Sequence, residues 1–259
     1  MLGPILFLVF INDLVVNLEC PVLLFADDAK LFTLINSIED LEAMQRDMIK
    51  LEQWSRKWLL TFNSSKCTTM HIGHRNPKSS YTLNGVVLSE TEAEKDLGVL
   101  ISNDLKPSKH INAIAAKANK IVGLIKRTFA YIDVDMGRSL YVSLVRPHLE
   151  YAVQSWSPYF KKDIEELEKV QRRMTKLVTG ISELQYEERC KRLNITTLET
   201  RRLRGDLIQT YKIVNDHDNV NKDLFFEKHV GITRGNSAKL VKRGNWRTQI
   251  RAKALALEL

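Results

Sequence analysis

Two adjacent aspartates, Asp27 and Asp28, lie between short apolar runs in Pro21-Val-Leu-Leu-Phe-Ala-Asp-Asp-Ala-Lys-Leu-Phe-Thr-Leu34. The flanks read as strand, tight turn, strand. In a regular strand neighbouring side chains face opposite ways, but at a hairpin turn two carboxylates can both stand at the rim of a sheet. Such a pair of hard oxygen ligands suits magnesium, which keeps several waters and takes one or two protein carboxylates together with substrate phosphates. The chemistry would be two-metal phosphoryl transfer, with ions about 3.5–4 Å apart aligning an attacking hydroxyl and a leaving phosphate. The plain alternative is a turn and nothing more, since Asp stabilises bends through its own side chain.

The elements that must position this pair follow from periodicity. Residues 4 to about 17 read as a buried apolar helix opening at Gly3-Pro4, where Pro suits the first turn. As a leader peptide the segment lacks a positive start, and Asn12 and Asp13 interrupt it well short of the roughly 20 residues of a membrane span. Ser37 with Asp40 resembles a capping box ahead of a long helix. Leu41, Met44, Met48, Leu51 and Trp58 share its core face, while Glu42, Arg46, Lys50 and Glu52 fall elsewhere, towards solvent. After Asn63-Ser-Ser-Lys66 the chain turns to β character. Cys67 to Ile72 can form a strand, Asn84-Gly85 is a hairpin signal because both turn positions need positive φ, and Leu97 to Ile101 makes a further strand. Beyond Pro107 the pattern is helical. Ile111, Ile114, Ala115, Ala118, Ile121, Val122 and Ile125 form a stripe behind Ser108 as N-cap, and helices follow at about 136–153, 161–179 and 197–215, with Gly180 as a stop for the middle one. From about 228 the chain is basic, poor in large apolar residues and expected to be loosely ordered.

The charge is unevenly spread. The 259 residues carry a formal charge of +8, but residues 1–100 are net −4 and residues 101–259 net +12. Acidic groups that hold metal joined to cations that hold phosphate suit a polymerase, and a merely basic helical domain fits the same numbers. Cys20, Cys67 and Cys190 form no C-x-x-C pair, which argues against a disulfide framework or zinc finger and for a reducing compartment; the expected setting is intracellular, nuclear or cytoplasmic. His71 and His74 have no second ligand pair at zinc-finger spacing and read as strand-end residues.

In their order along the chain, these segments resemble the reverse transcriptases of LINE-type (non-LTR) retrotransposons of the jockey-like group. Leu2-Gly-Pro-Ile-Leu-Phe-Leu-Val-Phe-Ile-Asn-Asp-Leu14 looks like the motif B helix, and Phe25-Ala-Asp-Asp-Ala29 like the motif C catalytic turn. Asn63 with Lys66 looks like the motif D loop, and Lys95-Asp-Leu-Gly-Val-Leu-Ile101 like the motif E primer-grip strand. Leu144-Val-Arg-Pro-His-Leu-Glu-Tyr151 with Trp156 and Pro158, Leu198-Glu-Thr-Arg-Arg202 and Arg204-Gly-Asp206 resemble the helical region after the palm.

The resemblance implies an α+β fold: a partial palm over residues 1–104, a helical thumb and post-palm region over 105–227, and a basic segment over 228–259. It implies an RNA-directed DNA polymerase fragment that would copy an RNA template from a DNA primer or target end, using deoxynucleoside triphosphates and Mg2+, with no membrane partner. Asp27 would bind metal most directly with Asp28 beside it, Ala26 would leave room for the primer end with Phe25 also at the nucleotide or primer, and Gly3 and Pro4 would help place nucleotide or template. Lys66 would sit near the triphosphate and protonate the leaving pyrophosphate, or is a solvated loop lysine; Gly98 would let backbone approach the primer, or is a bulge glycine. Lys109, Lys117, Lys120, Arg172, Arg173 and Lys176 are candidates for phosphate contacts that hold a duplex without reading its sequence. Tyr151, Trp156 and Tyr159 fit core or interface packing better than base stacking. The family's third carboxylate, on motif A, and its fingers precede motif B, so this polypeptide alone is expected to be inactive. A non-catalytic nucleic-acid-binding module and a degenerate reading frame derived from such an element are the rival readings.

Overall fold

The computed structural model describes residues 2–74, 76–227 and Leu240. They divide into two units: residues up to 94 with 102–105, and residues 95–101 with those from 106 onward. Helices and short sheets are mixed, compatible with an α+β class. The segment from 228, expected to be loosely ordered, lies outside the described residues apart from Leu240.

The first unit opens with α1 (Leu2–Ile11), followed by a single 3-10 turn, Asn12–Val15. The expected helix to residue 17 is therefore shortened and tightened at Asn12. Asp13 leaves the helical repeat and accepts a 3.0 Å hydrogen bond from the Trp54 indole N–H. Nor is α1 a buried helix. Ile11 is buried, whereas Leu2, Ile5, Leu6, Leu8 and Val9 are exposed, Val9 by 71%. A helix apolar on every side needs neighbours on every side, and this unit supplies them on one.

β1 (Val22–Phe25) and β2 (Asp28–Leu31) form an antiparallel hairpin, which packs on α2 (Ile38–Trp58). The Ser37–Asp40 capping box forms as expected: the Ser37 hydroxyl accepts the Asp40 N–H, and Asp40 Oδ2 accepts the Ser37 N–H at 2.9 Å. Leu24 and Leu31 of the hairpin join Ile11, Leu14, Met48, Leu51 and Trp54 in one cluster; Cys20, Met44 and Tyr81 centre another. Trp58, expected on the core face, is 41% exposed and sits edge-on to Phe10, with ring centres 5.5 Å apart.

The remaining strands are short. β3 (Thr68–Thr69) pairs in parallel with β6 (Ser89–Glu90), so only two residues of the expected strand 67–72 are in a ladder. Between them β4 (Thr82–Leu83) and β5 (Val86–Val87) form the expected hairpin, with Asn84 at φ 53° and Gly85 at φ 73°. The Gln45 side-chain amide binds both the N–H and the C=O of Thr82, each at 3.0 Å, and so ties β4 to α2. β7 (Ala93–Asp96) pairs with β8 (Val99–Ser102). Leu97 and Gly98 are thus the hairpin loop, not the start of a strand; both have positive φ, 43° and 92°.

The second unit centres on α3 (Ser108–Thr128), whose buried stripe Ile111, Ala115, Ala118, Val122 and Ile125 repeats at three- and four-residue spacing. Its N-cap is Pro107 rather than Ser108. The Ser108 hydroxyl instead donates to Asp163 Oδ2 at 2.7 Å, because that carboxylate is nearly fully buried and needs a donor. α4 (Val134–Leu140), a π turn at Tyr141–Val145 and α5 (Arg146–Glu150) make one almost continuous helical run, and α6 (Val153–Trp156) follows. α7 (Lys161–Thr175) packs along α3 and stops before Gly180, which has φ 83°. The short α8 (Tyr186–Arg192) is a helix that periodicity does not mark, and α9 (Leu198–Val214) begins at a Thr197 cap. Within α7, Gln171 is fully buried, accepting from the Tyr141 hydroxyl and donating to Thr196 O at 3.0 Å.

His110 shows how a polar group is held in this core. It is 3% exposed, its ring lies 5.0 Å from that of Trp156, and Nδ1 accepts the Leu100 N–H at 3.0 Å. Burial pushes its pKa down from 6.5 to about 4. The imidazole therefore stays neutral while the unfolded chain titrates, so stability is full above 6.5 and falls as pH drops towards about 4. The expected loss is on the order of 3 kcal/mol. Urea unfolding from pH 7 to pH 4 should show this slope in the native protein. His110→Asn, which retains an acceptor but does not titrate, should flatten it; an unchanged slope would place the acid sensitivity elsewhere.

Candidate catalytic turn and basic surface

The β1–β2 register pairs Phe25 with Asp28, which leaves Ala26 and Asp27 as a two-residue hairpin loop. Asp28 is the first residue of β2. The acidic pair thus sits at a β-bend, in neither a helix nor a regular extended run. Ala26 has φ 51°, a left-handed conformation that costs a residue with a Cβ roughly 1 kcal/mol. Phe25, Ala26, Asp27 and Asp28 are all exposed.

The hairpin is held from below. Leu24 and Leu31 enter the cluster on α2, and Asp47, with no exposed surface, accepts the N–H groups of Glu19 and Cys20 just before β1, at 2.8 and 2.7 Å. Lys50 bridges Asp47 and Glu19, 2.9 Å from each. Burial raises the Asp47 pKa, but the N–H donors of Cys20 and Glu19 and the Lys50 ammonium outweigh it and hold the carboxyl below its usual range. Hydrogen bonds from Arg46, then Lys50, hold Glu19 down to about 2. Helical spacing puts Lys50 on a solvent face and gives Asp47 no role. A lone Asp on the apolar side of an amphipathic helix is the signal that could have found it.

The side chains of Asp27 and Asp28 by contrast make no hydrogen bond or ion pair among the described residues. Their four oxygens are available, and among the described residues no group of three His, Cys, Asp or Glu side chains could enclose a metal ion. The turn is chemically an open two-carboxylate ligand. It fits an ion that completes its shell with water and phosphate oxygens, and does not fit a closed all-protein cage.

The other residues singled out lie apart from this bend in different ways. Lys66 is exposed in a loop built by Asn63, whose Oδ1 accepts from Ser65 N at 3.2 Å and Ser65 Oγ at 2.6 Å; among the described residues no acceptor is bound to the Lys66 amine. Gly3 and Pro4 are exposed at the start of α1, and the space where a Gly3 Cβ would stand is open. Gly98 is neither strand nor bulge. It is the second loop residue of the β7–β8 hairpin, and a Cβ there would lie 2.9 Å from the Tyr151 ring, whose hydroxyl donates to Leu97 O at 2.8 Å. Tyr151 is otherwise 58% exposed and Tyr159 47% exposed, while Trp156 is buried and donates to Tyr151 O at 2.8 Å.

The basic residues belong to the second unit. Lys109, Lys117 and Lys120 are exposed on α3, as are Arg172 and Arg173 on α7 and Lys176 just after it. Arg173 donates to Asn119 of α3 at 2.7 Å, which ties the cationic end of α7 to α3. Among the described residues, no helix is long and apolar enough to cross a membrane.

The comparisons point to nucleic-acid polymerases. The chain is similar to RNA-directed DNA polymerases of mobile elements, as the sequence motifs indicated. It is 25% identical over 192 residues to the RNA-directed DNA polymerase from mobile element jockey of Drosophila funebris, a match that covers 69% of this chain and 21% of the relative. The probable RNA-directed DNA polymerase from transposon X-element of Drosophila melanogaster is 27% identical over 191 residues, again 69% and 21%. The chain thus spans about a fifth of the length of these curated relatives. No family model and no solved structure matches it.

Proposed function

We propose that this chain is the palm-to-thumb portion of a non-LTR retrotransposon reverse transcriptase, with Asp27 and Asp28 as its metal-binding turn. The observation that carries the reading is the exposed, unpaired Asp27–Asp28 bend, held at the end of a hairpin, in a chain similar to RNA-directed DNA polymerases. Residues 1–104 would be the partial palm and 105–227 the thumb and post-palm region.

Asp27 and Asp28 would hold Mg2+, which when bound supplies positive charge to the oxygens of a reacting phosphate. Everything else falls to the protein's own groups. Ala26, with no side chain beyond Cβ, leaves the bend open to a primer 3′ end, with Phe25 beside it. Lys66, free of acceptors among the described residues, is available to neutralise or protonate a leaving pyrophosphate. Gly3 and Pro4 would lie along the nucleotide or template path. Gly98, already closed over by Tyr151, would serve the primer grip through the shape of its hairpin rather than by baring its own backbone. Lys109, Lys117, Lys120, Arg172, Arg173 and Lys176 would bind phosphates of an RNA template paired with a DNA primer. Work inside the cell, in nucleus or cytoplasm, goes with these substrates.

The described residues offer two carboxylates at the bend and no third. On its own, this 259-residue polypeptide should therefore bind divalent metal weakly and extend a primed RNA template with Mg2+ at background rate. Mn2+ titrated into 15N-labelled protein is expected to broaden the amides of residues 25–29, and Asp27→Asn to remove the effect. Amides that remain sharp at millimolar Mn2+ would defeat the metal-turn reading. Robust primer extension abolished by Asp27→Asn would show that the chain is a self-sufficient polymerase.

A further inference from the structure

The second unit contains a concave pocket of about 570 Å³ whose lining includes Arg172, Arg173, Lys176, Glu183, Tyr186 and Arg189. Four cations there face one carboxylate. Arg189 is only 4% exposed. Its Nε donates to Thr175 Oγ1 at 3.0 Å and its Nη1 to Leu184 O at 2.5 Å, while Nη2 has no acceptor among the described residues. Arg172 and Arg189 both lie on the Tyr186 ring, 5.1 and 5.7 Å from its centre. The Tyr186 hydroxyl donates to the buried Glu168 and is thereby fixed, so the ring is a rigid platform for the two guanidiniums. The Lys176 amine has no partner among the described residues, and the Arg172 contact with Glu165 is long, 3.5 Å, between exposed side chains. The Glu183 carboxylate accepts from Ser182 Oγ at 3.2 Å.

We infer that this pocket binds a phosphodiester of a nucleic-acid strand, with Arg189 as the buried anchor and Arg172 and Lys176 closing around the phosphate oxygens. Two guanidiniums gathered at one ring concentrate positive charge, which an anion would offset, and a guanidinium fork suits phosphate oxygens. The volume is in the range of pockets that take a small ligand, room for a nucleotide rather than a bare ion. A strand is favoured over free phosphate because the cations do not end at the rim. Arg173 reaches α3, where it donates to Asn119, the residue before the exposed Lys120. This inference deepens the polymerase reading by assigning a defined site to the basic unit, and it rests on that reading for the choice of strand.

The test is fluorescence anisotropy with a labelled RNA–DNA hybrid in EDTA, which leaves the Asp27–Asp28 turn without metal and so separates the two ideas. The Arg172→Gln/Lys176→Gln variant should bind about tenfold more weakly and flatten the log–log salt dependence by about 2. Glu183→Gln should bind roughly threefold more tightly. Lys126→Gln/Arg127→Gln removes the same charge from the last turn of α3 and should change affinity less than about threefold. Equal losses in both double variants, with melting temperatures unchanged, would overturn the pocket and leave a diffuse basic surface. Inorganic phosphate shifting the 15N resonances around Tyr186 with no competition from the hybrid would overturn the strand and leave a free-anion site. Failure of the Mn2+ experiment would not touch this result, nor would failure here touch the metal turn.

Discussion

Asp27→Asn should reduce primer extension by a factor on the order of 10³ or more once the chain works within a complete polymerase, while barely changing its stability. A direct form of the test replaces the matching segment of the jockey polymerase of Drosophila funebris with this chain and follows Mg2+-dependent copying of a primed RNA. The expected loss comes from the work of a carboxylate at a metal: placing charge opposite reacting phosphate oxygens is worth several kcal/mol, and each 1.36 kcal/mol is a factor of ten. The expected neutrality for stability comes from the structure. Asp27 is exposed in a hairpin loop and makes no hydrogen bond or ion pair among the described residues, so its charge can go with a change within about 0.5 kcal/mol. Asp28→Asn should weaken the reaction less if Asp27 is the direct ligand. A chimera that is active with native Asp27 and keeps activity within tenfold after the substitution would remove the turn from catalysis.

The second large effect is on folding, at a residue far from any substrate. Asp47→Ala should destabilise the first unit by about 2–4 kcal/mol, because two backbone N–H groups lose a buried acceptor and Lys50 loses one of its two carboxylates. Asp47→Asn keeps one acceptor oxygen and should cost less. The readout is hydrogen exchange. Amides of Val22–Leu31 should lose protection by that free energy, while those of α3 keep theirs. The same anchor has a pH signature. Asp47 titrates below its ordinary value of 3.8, so its contribution is complete above that value and fades as pH falls through the lower folded one. Protection of the hairpin that is unchanged by Asp47→Ala would mean that Leu24 and Leu31 alone seat the strands.

Much of the site was legible because it is local. A two-residue loop between apolar runs, the Asn84-Gly85 hairpin, and Ser37 three residues before Asp40 depend on backbone φ and on hydrogen bonds a few residues long. The order of the motifs was a one-dimensional pattern, and it led to the same polymerases that the comparisons found. The stripe of α3 followed from helical spacing. The less legible features depend on partners distant in the chain. Ser108 looks like a cap until Asp163, 55 residues on, takes its hydroxyl. Leu97-Gly98 reads as strand until the hairpin reverses there under Tyr151.

The amino-acid order by itself determined the set of short-range elements and the acidic bend that two strands present. Tertiary structure decided which charges are spent and which are left over. Asp47 is consumed in holding the hairpin, whereas Asp27 and Asp28 are unspent among the described residues. Arg189 is buried against Tyr186 with one nitrogen unused, whereas Arg201 is tied up in an ion pair with Glu150. The reason is that periodicity registers only whether a position faces in or out. Whether a charged group there meets a donor, an acceptor or an empty pocket depends on segments tens of residues away.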